Sequence, residues 1–268
     1  MLVNALSLGI RDYVHKSGAS GILVGLSGGI DSAVVAALAV RALGPERVIG
    51  VRMPSKFSSQ HSLDDAKELA QNLGIQLKTV DIEPLVDNFR QVLNLQKSLS
   101  DQNLQARVRA VILMGLSNET GFFVLATSNK SELAMGYGTL YGDLCGALMP
   151  LGDLYKTQVY ALARALDGIP KNSISKAPSA ELHENQLDQD MLPPYELLDA
   201  ILERTLERDM PIQQIAAETG AELERVVQII GQVNSSEYKR KQAPPILMVS
   251  KRVLGEARRW PVVKSVQR

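Results

Sequence analysis

The sequence predicts an α/β fold, a doubly wound parallel sheet with C-terminal helices, and three observations carry that reading. Near-continuous apolar runs at residues 21–26, 48–51 and 122–126 alternate with helical patterns, as strands buried on both faces do. The first run ends in Ser27-Gly28-Gly29-Ile30-Asp31-Ser32 and opens at once into the apolar stretch 33–43, which reads as strand, tight glycine loop, helix. Beyond Gly168 the strand-like runs stop and short amphipathic helical segments take over.

Taken in order, residues 2–16 form an amphipathic helix with Leu2, Leu6 and Ile10 on one face. A strand at 21–26 is followed by the loop-led helix 31–43 and a second strand at 48–51. A helix over 61–73 leads to a third strand at 76–81, and helices at 83–95 and 103–117 precede the fourth strand at 122–126. Ligands on such sheets bind beyond the carboxyl ends of the strands. Ser27, Met53-Pro54-Ser55 and Thr127 therefore converge on one edge. Residues 171–194 are polar, Pro-bearing and aperiodic, and are expected to form a mobile loop. Residues 195–209, 212–218 and 222–233 read as short helices. The whole chain, 1–268, is expected to be one domain, with an α/β nucleotide-binding core over about 1–168 and the loop, helical and C-terminal segments over 169–268.

Lys+Arg and Asp+Glu both number 29, so the net charge is zero, which disfavours a dedicated nucleic-acid binder. Residues 212–230 imitate a DNA-binding helix-turn-helix, but Glu222 and Glu224 on the second helix would be repelled by phosphates, so the pair reads as a packing unit. No apolar run approaches the ~20 residues of a membrane span, and the N-terminus does not read as a signal peptide. The lone Cys145 excludes a disulfide framework, and His15, His61 and His183 lack zinc-ligand spacing. A cytoplasmic protein without nucleic-acid or membrane partners is expected.

The glycine loop points to anion chemistry. Adjacent glycines let the chain turn sharply and approach a phosphate closely, and the following helix adds free N–H groups and its positive dipole end. It is neither a Walker A loop nor a G-x-G-x-x-G fingerprint, because those spacings are absent. Asp31 would repel a polyphosphate unless a divalent cation lay between them. Either the loop binds no nucleotide or Asp31 holds Mg²⁺, and the second reading is adopted. All six positions resemble the SGGxDS loop of the ATP pyrophosphatase family, the adenine nucleotide alpha hydrolase-like enzymes that cleave ATP between its α and β phosphates.

A more specific resemblance adds Leu125-Ala-Thr127-Ser-Asn-Lys-Ser-Glu132, Tyr141-Gly142-Asp143, Asn103-Leu-Gln-Ala-Arg107-Val-Arg109 and Glu237-Tyr-Lys239-Arg240-Lys-Gln-Ala-Pro-Pro245. With the loop, these five segments in family order, spanning about residues 5–261, resemble an NAD synthetase. They are closest to the synthetase domain of the glutamine-dependent enzymes. The resemblance implies ATP-dependent amidation of deamido-NAD: ATP adenylates the nicotinate carboxylate, pyrophosphate leaves, and ammonia displaces AMP. No enzyme nucleophile is needed, so catalysis is positioning plus charge neutralisation.

Residue by residue, the resemblance assigns Gly25, Leu26, Ser27, Gly28, Gly29, Ile30, Asp31 and Ser32 to the ATP phosphates, with Thr127, Lys156 and Ser179. Asp31 and Glu132 are the implied Mg²⁺ ligands, Glu132 alternatively facing deamido-NAD, and Asp31, Glu132 and Lys156 are the implied catalytic set. Asn103, Arg107, Glu132, Asp143, Lys239 and Arg240 are assigned to deamido-NAD. Asn103 and Arg107, four apart, share a helix face on spacing alone. Arg109 is expected to face away, in a structural role or at a subunit contact.

Leu140 stands where short ammonia-dependent relatives carry a lysine, as in the glutamine-dependent type. The upstream glutaminase domain of that type is not in this sequence, which leaves free ammonia, a separate glutaminase, or an excised domain as alternatives. A homodimer is also implied, and Val111, Ile112, Met114 and Leu116 supply more apolar surface than one helix face requires. The competing readings are a tRNA-modifying ligase with the same loop and a non-catalytic ATP-binding regulatory module.

Overall fold

The computed structural model describes residues 1–184, 186–255 and 261–262; residues 256–260 and 263–268, inside the expected domain, and Asn185, inside the expected mobile loop, lie outside the described residues. Helix α1 (Leu2–Lys16) precedes strand β1 (Gly21–Gly25), α2 (Ile30–Leu43), β2 (Val48–Arg52), α3 (Gln60–Leu73) and β3 (Gln76–Thr79). Then come α4 (Glu83–Leu93), α5 (Ser98–Thr120), β4 (Phe122–Leu125), α6 (Lys130–Met135), α7 (Lys156–Arg164) and α8 (Lys171–Ser175). The last elements are α9 (Tyr195–Leu206), α10 (Ile212–Thr219), α11 (Leu223–Ser235) and α12 (Glu237–Arg240).

The four strands are parallel in the order β3-β2-β1-β4. Side-chain alternation sorts them between two layers. Ile22, Val24, Val48 and Leu125 join the core beneath α1, α2, α3 and α7, while Leu23, Ile49, Val51 and Val124 join the core beneath α4 and α5. Each such side chain fully buried contributes about 1.5–3 kcal/mol. Helix α2 is sandwiched between sheet and outer helices and is apolar nearly all round, as its run of buried residues from Ile30 to Ala39 requires. The expected doubly wound sheet is thus present.

The chain builds β1, β2 and β3 outward on one side, then returns through α4 and α5 to place β4 on the other side of β1. Beyond the ends of β1 and β4 lies the topological switch point, where such sheets open a crevice. A third core of α6, α9, α10 and α11 closes one side of it. In the helix-turn-helix mimic, Ile215, Val226, Ile229 and Val233 are buried against that core, as a packing unit requires. No described helix is long and apolar enough to cross a membrane.

Boundaries differ from the sequence reading mainly at two places. Helix α5 begins at Ser98, five residues earlier than expected, because Arg90 of α4 clamps Asp101 in its first turn (Nε to Oδ1 2.5 Å, NH2 to Oδ2 3.0 Å). The segment 171–194 is not one structureless loop: α8 opens it, a 3₁₀ turn spans Asp188–Asp190, and Gln186, Asp188 and Leu192 are buried.

Candidate active site

The loop after β1 is built by its own hydroxyls. Ser27 Oγ accepts from Gly29 N (3.2 Å), Ser32 Oγ accepts from Ser27 N (3.3 Å), and Ser32 Oγ donates to the Gly29 carbonyl (3.0 Å). No side chain caps α2, so its first N–H groups remain turned to the crevice. Gly28 has φ +79°, and a Cβ there would lie 2.4 Å from the Ser62 carbonyl at the start of α3. Only glycine fits that turn. This corrects one assignment: Gly28 does not line the crevice but lets the rest of the loop do so.

The crevice is a cavity of about 1260 Å³. Of the residues assigned from the sequence, Gly25, Leu26, Ser27, Gly29, Ile30, Asp31, Ser32, Thr127, Lys156 and Ser179 line it, with Asn103, Arg107, Glu132, Asp143 and Lys239. Arg240 does not. It is buried, pairs with Glu237 (2.8 Å) and donates to the carbonyls of Leu133, Ala134 and Val233, tying α12 to α6 and α11. Its donors are spent on the scaffold, and the assignment to a dinucleotide is withdrawn. Arg109 also departs from expectation. Although two residues from Arg107, it lines the same cavity, because the crevice curls around α5, and its Nε holds the Met53 carbonyl (3.1 Å).

Three charged groups meet at the centre. Lys156, the first residue of α7, places Nζ 2.5 Å from Asp31 Oδ2 and 3.1 Å from Glu132 Oε1. Glu132 is fixed by a capping box at α6, in which Asn129 Oδ1 accepts from Glu132 N (3.0 Å) and Glu132 Oε2 accepts from Asn129 N (3.4 Å). Asn129 Nδ2 also donates to Asp31 Oδ1 (3.0 Å), so Asn129 orients both carboxylates, Asp31 through its side-chain amide and Glu132 through its backbone N–H. Asn129 carried no role in the sequence reading, though Asn-x-x-Glu ahead of an apolar stretch is a legible capping signal. Burial foremost, with Asp31 and Asp188 nearby, pushes the Glu132 carboxyl up to about 8 against the pull of Lys156. Burial opposes the charge on Lys156, yet Asp31 and Glu132 hold its ammonium above the ordinary lysine range. It is a cation at any physiological pH.

A second group of assigned residues surrounds the loop that follows α6. Lys239 Nζ donates to the carbonyls of Gly136 and Gly138 (both 2.7 Å), Arg107 Nε to that of Leu140 (3.1 Å), and Thr139 Oγ1 to Asn103 Oδ1 (2.8 Å). Asp143 Oδ1 accepts from Thr139 N (2.8 Å). Ser179 Oγ donates to the Gln186 carbonyl (2.5 Å), within the segment that roofs the cavity. Tyr137, Asp188 and Tyr195 also belong to the site and were not read from the sequence; an acid in an aperiodic stretch and two isolated tyrosines carry no local signal.

Comparison with known proteins gives the family. A family model described as NAD synthase matches residues 2–243, which contain every side chain placed above. A glutamine-dependent NAD(+) synthetase of Synechocystis sp. is 46% identical over 273 residues, covering 98% of this chain and 49% of that protein. The structure of glutamine-dependent NAD+ synthetase from Acinetobacter baumannii in complex with ADP is similar at 40% identity and TM-score 0.64, over 97% of this chain and 49% of that one. That of NH3-dependent NAD synthetase from Campylobacter jejuni, in complex with the nitrate ion, is similar at 31% identity and TM-score 0.75, over 90% and 95%. The chain spans about half the length of the glutamine-dependent relatives it matches. With the match running through sheet, glycine loop and the Glu132 helix alike, the chain belongs to the NAD synthase family.

Proposed function

We propose that this chain catalyses ATP-dependent amidation of deamido-NAD to NAD, with ammonia as nitrogen donor and AMP and pyrophosphate as products. The observation that carries the reading is the convergence of Asp31, from the phosphate loop, and Glu132, from the helix after β4, on the single cation Lys156 inside one cavity large enough for two nucleotides.

The same convergence tests the fit of a divalent cation. Two carboxylates already share one positive charge, and Mg²⁺ ordinarily takes one or two carboxylates, completing its shell with substrate phosphates and water. Among the described residues no group of three or more His, Cys, Asp and Glu forms a metal site by itself. Asp31 and Glu132 would hold it, and when bound it supplies charge neutralisation between carboxylates and polyphosphate.

The nicotinate carboxylate oxygen bonds to the α-phosphorus as the bond to the β-phosphate bridging oxygen breaks, and pyrophosphate departs. Ammonia nitrogen then bonds to the carbonyl carbon, AMP leaves with the former carboxylate oxygen, and one proton is lost. The α2 N–H groups and Lys156 meet the charge that builds on the phosphates. Asn103, Arg107, Asp143 and Lys239, arranged about the 136–143 loop, receive the dinucleotide at the far end of the cavity, which sets its carboxylate against the α-phosphate. Thr127, at the end of β4, and Ser179, in the roof, flank the nucleotide.

The test is pyrophosphate release and NAD formation by the purified chain with ATP, Mg²⁺, deamido-NAD and ammonium. Turnover with ammonium and none with glutamine alone is expected of this chain assayed by itself. A requirement for tRNA, or binding of ATP without pyrophosphate release, would replace this reading with a tRNA-modifying ligase or a regulatory module. We further infer a homodimer through α5, where Val111 and Met114 are exposed while Ile112 and Leu116 pack inward. Sedimentation at micromolar concentration should give twice the 29.2 kDa chain mass, and Val111→Lys should shift it to one.

A further inference from the structure

Lys156 has carboxylates on one side and an aromatic ring on the other: its Nζ stands 5.1 Å from the centroid of Tyr195. That distance is within cation–π range. The ring is itself held from behind. Tyr195 OH donates to Asp188 Oδ2 at 2.9 Å, and the other oxygen of Asp188 accepts from Tyr137 OH at 3.2 Å. Asp188 and Tyr195 are each 5% exposed, and among the described residues no cation lies within ion-pair distance of Asp188. A buried carboxylate without an ion pair is costly, so its two phenol donors matter. Burial and the surrounding carboxylates hold both tyrosine hydroxyls above their usual range, so both remain donors at neutral pH.

The positions of the two tyrosines give the arrangement a direction. Tyr195 opens α9 and underlies Lys156 on the ATP side, whereas Tyr137 follows Gly136, whose carbonyl Lys239 binds on the dinucleotide side. Asp188 lies in the cavity wall between them.

We propose that Asp188 is a positioning residue for adenylation: through Tyr195 it sets the Lys156 ammonium at the phosphate loop, and through Tyr137 it ties that setting to the loop that carries the dinucleotide contacts. This rests on the function proposed above. A shift of the ammonium by about an ångström would cost on the order of 10²-fold in rate. Asp188→Asn keeps shape but gives up one acceptor oxygen and the charge, and Tyr195→Phe keeps the ring but loses the hydroxyl.

The experiment measures kcat, KM for each substrate, and MgATP affinity by calorimetry for wild type, Asp188→Asn, Tyr195→Phe and Lys156→Ala, and for each of the first two variants combined with Lys156→Ala. Both single variants should lower kcat about 10-fold or more and weaken MgATP binding, with KM for deamido-NAD changed less than about 3-fold. In the Lys156→Ala background neither should have a further effect, because the group they position is gone. A merely structural role would lower the melting temperature and leave kcat per folded molecule and the cycle additive. Equal losses with and without Lys156 overturn the proposal, as does wild-type kcat in Tyr195→Phe, the variant that keeps the packed ring if Asp188→Asn fails to fold. If the wild-type chain makes no pyrophosphate with deamido-NAD, the function reading fails, while the MgATP-affinity cycle still decides the role of Asp188.

Discussion

The two ends of the cavity are built in opposite ways. At the end proposed for ATP, charged side chains face one another, with Lys156 in contact with both Asp31 and Glu132 and Asn129 fixing the two acids. At the end proposed for the dinucleotide, Lys239, Arg107, Asn103 and Asp143 each grip backbone or hydroxyl groups of one loop, 136–143. The first arrangement is a preset charge pattern that loses its balance when one member is removed. The second is a set of braces that already hold the loop in the absence of a ligand. Electrostatic preorganisation suits the end at which the proposed adenylation would begin.

Substitutions can break this contrast at graded cost. The largest effect falls on neither end but on the buried scaffold pair behind the second: Arg240→Ala leaves the fully buried Glu237 carboxylate with only the longer, half-exposed Lys241 contact (3.8 Å) and should cost about 3 kcal/mol of stability. Chemical denaturation reads that loss, with KM for deamido-NAD near wild type in whatever folds; a selective rise in that KM would return Arg240 to the substrate.

At the end proposed for ATP, Asp31→Asn keeps shape but removes the negative charge that lies nearest Lys156. NAD synthesis should fall by ~10²-fold or more with the melting temperature kept within a few degrees, since a preset charge typically contributes that much. Near-normal turnover with unchanged Mg²⁺ dependence would remove Asp31 from the metal.

At the other end, Lys239→Ala deletes two carbonyl contacts and a cation. KM for deamido-NAD should rise about 10-fold, the scale of one charge-assisted contact, with KM for ATP changed far less. A larger effect on ATP would merge the two ends into one site.

The smallest effect sharpens the ATP end by pH. The folded-state carboxyl of Glu132 titrates near 8, above the 4.5 of an ordinary glutamate, so between those values the folded state binds the extra proton and this group's contribution to stability falls as pH rises. A divalent ion needs the carboxylate, so Mg²⁺-dependent ATP affinity should rise several-fold from pH 6.5 to 8.5, and Glu132→Gln should flatten that slope. Glu132→Gln should also make the ligand-free protein less sensitive to alkali. Titration calorimetry and melting curves across that range check both signs.

The glycine loop with Asp31 was legible because its parts are local, whereas Glu132 and Lys156 were assigned through the family resemblance and the Asn129 capping box was legible but unread. A strand-loop-helix with two glycines, and an Asn-x-x-Glu capping box after a strand, each fix geometry within a few residues, and parallel-sheet topology then brings them together at the switch point. The dinucleotide end was legible only through the family resemblance, since Asn103, Arg107, Asp143 and Lys239 come from three distant segments. Where the reading failed, it did so for one reason. Lys239 and Arg240 are neighbours in the chain, yet α12 turns one into the cavity and buries the other against Glu237 and three carbonyls.

The sequence by itself determined the strands, the helices between them and the glycine loop, because apolar period and turn chemistry act over short stretches of chain. Only the tertiary structure decided that Lys156 supplies a positive charge between two acids, that Asn129 aims both, that Gly28 serves the turn alone, and that Asp188 and two tyrosines stand behind the lysine. Those facts depend on side chains brought together from residues 31, 129, 156, 188 and 195, and their energies arise from burial and pairing that no single stretch of sequence contains.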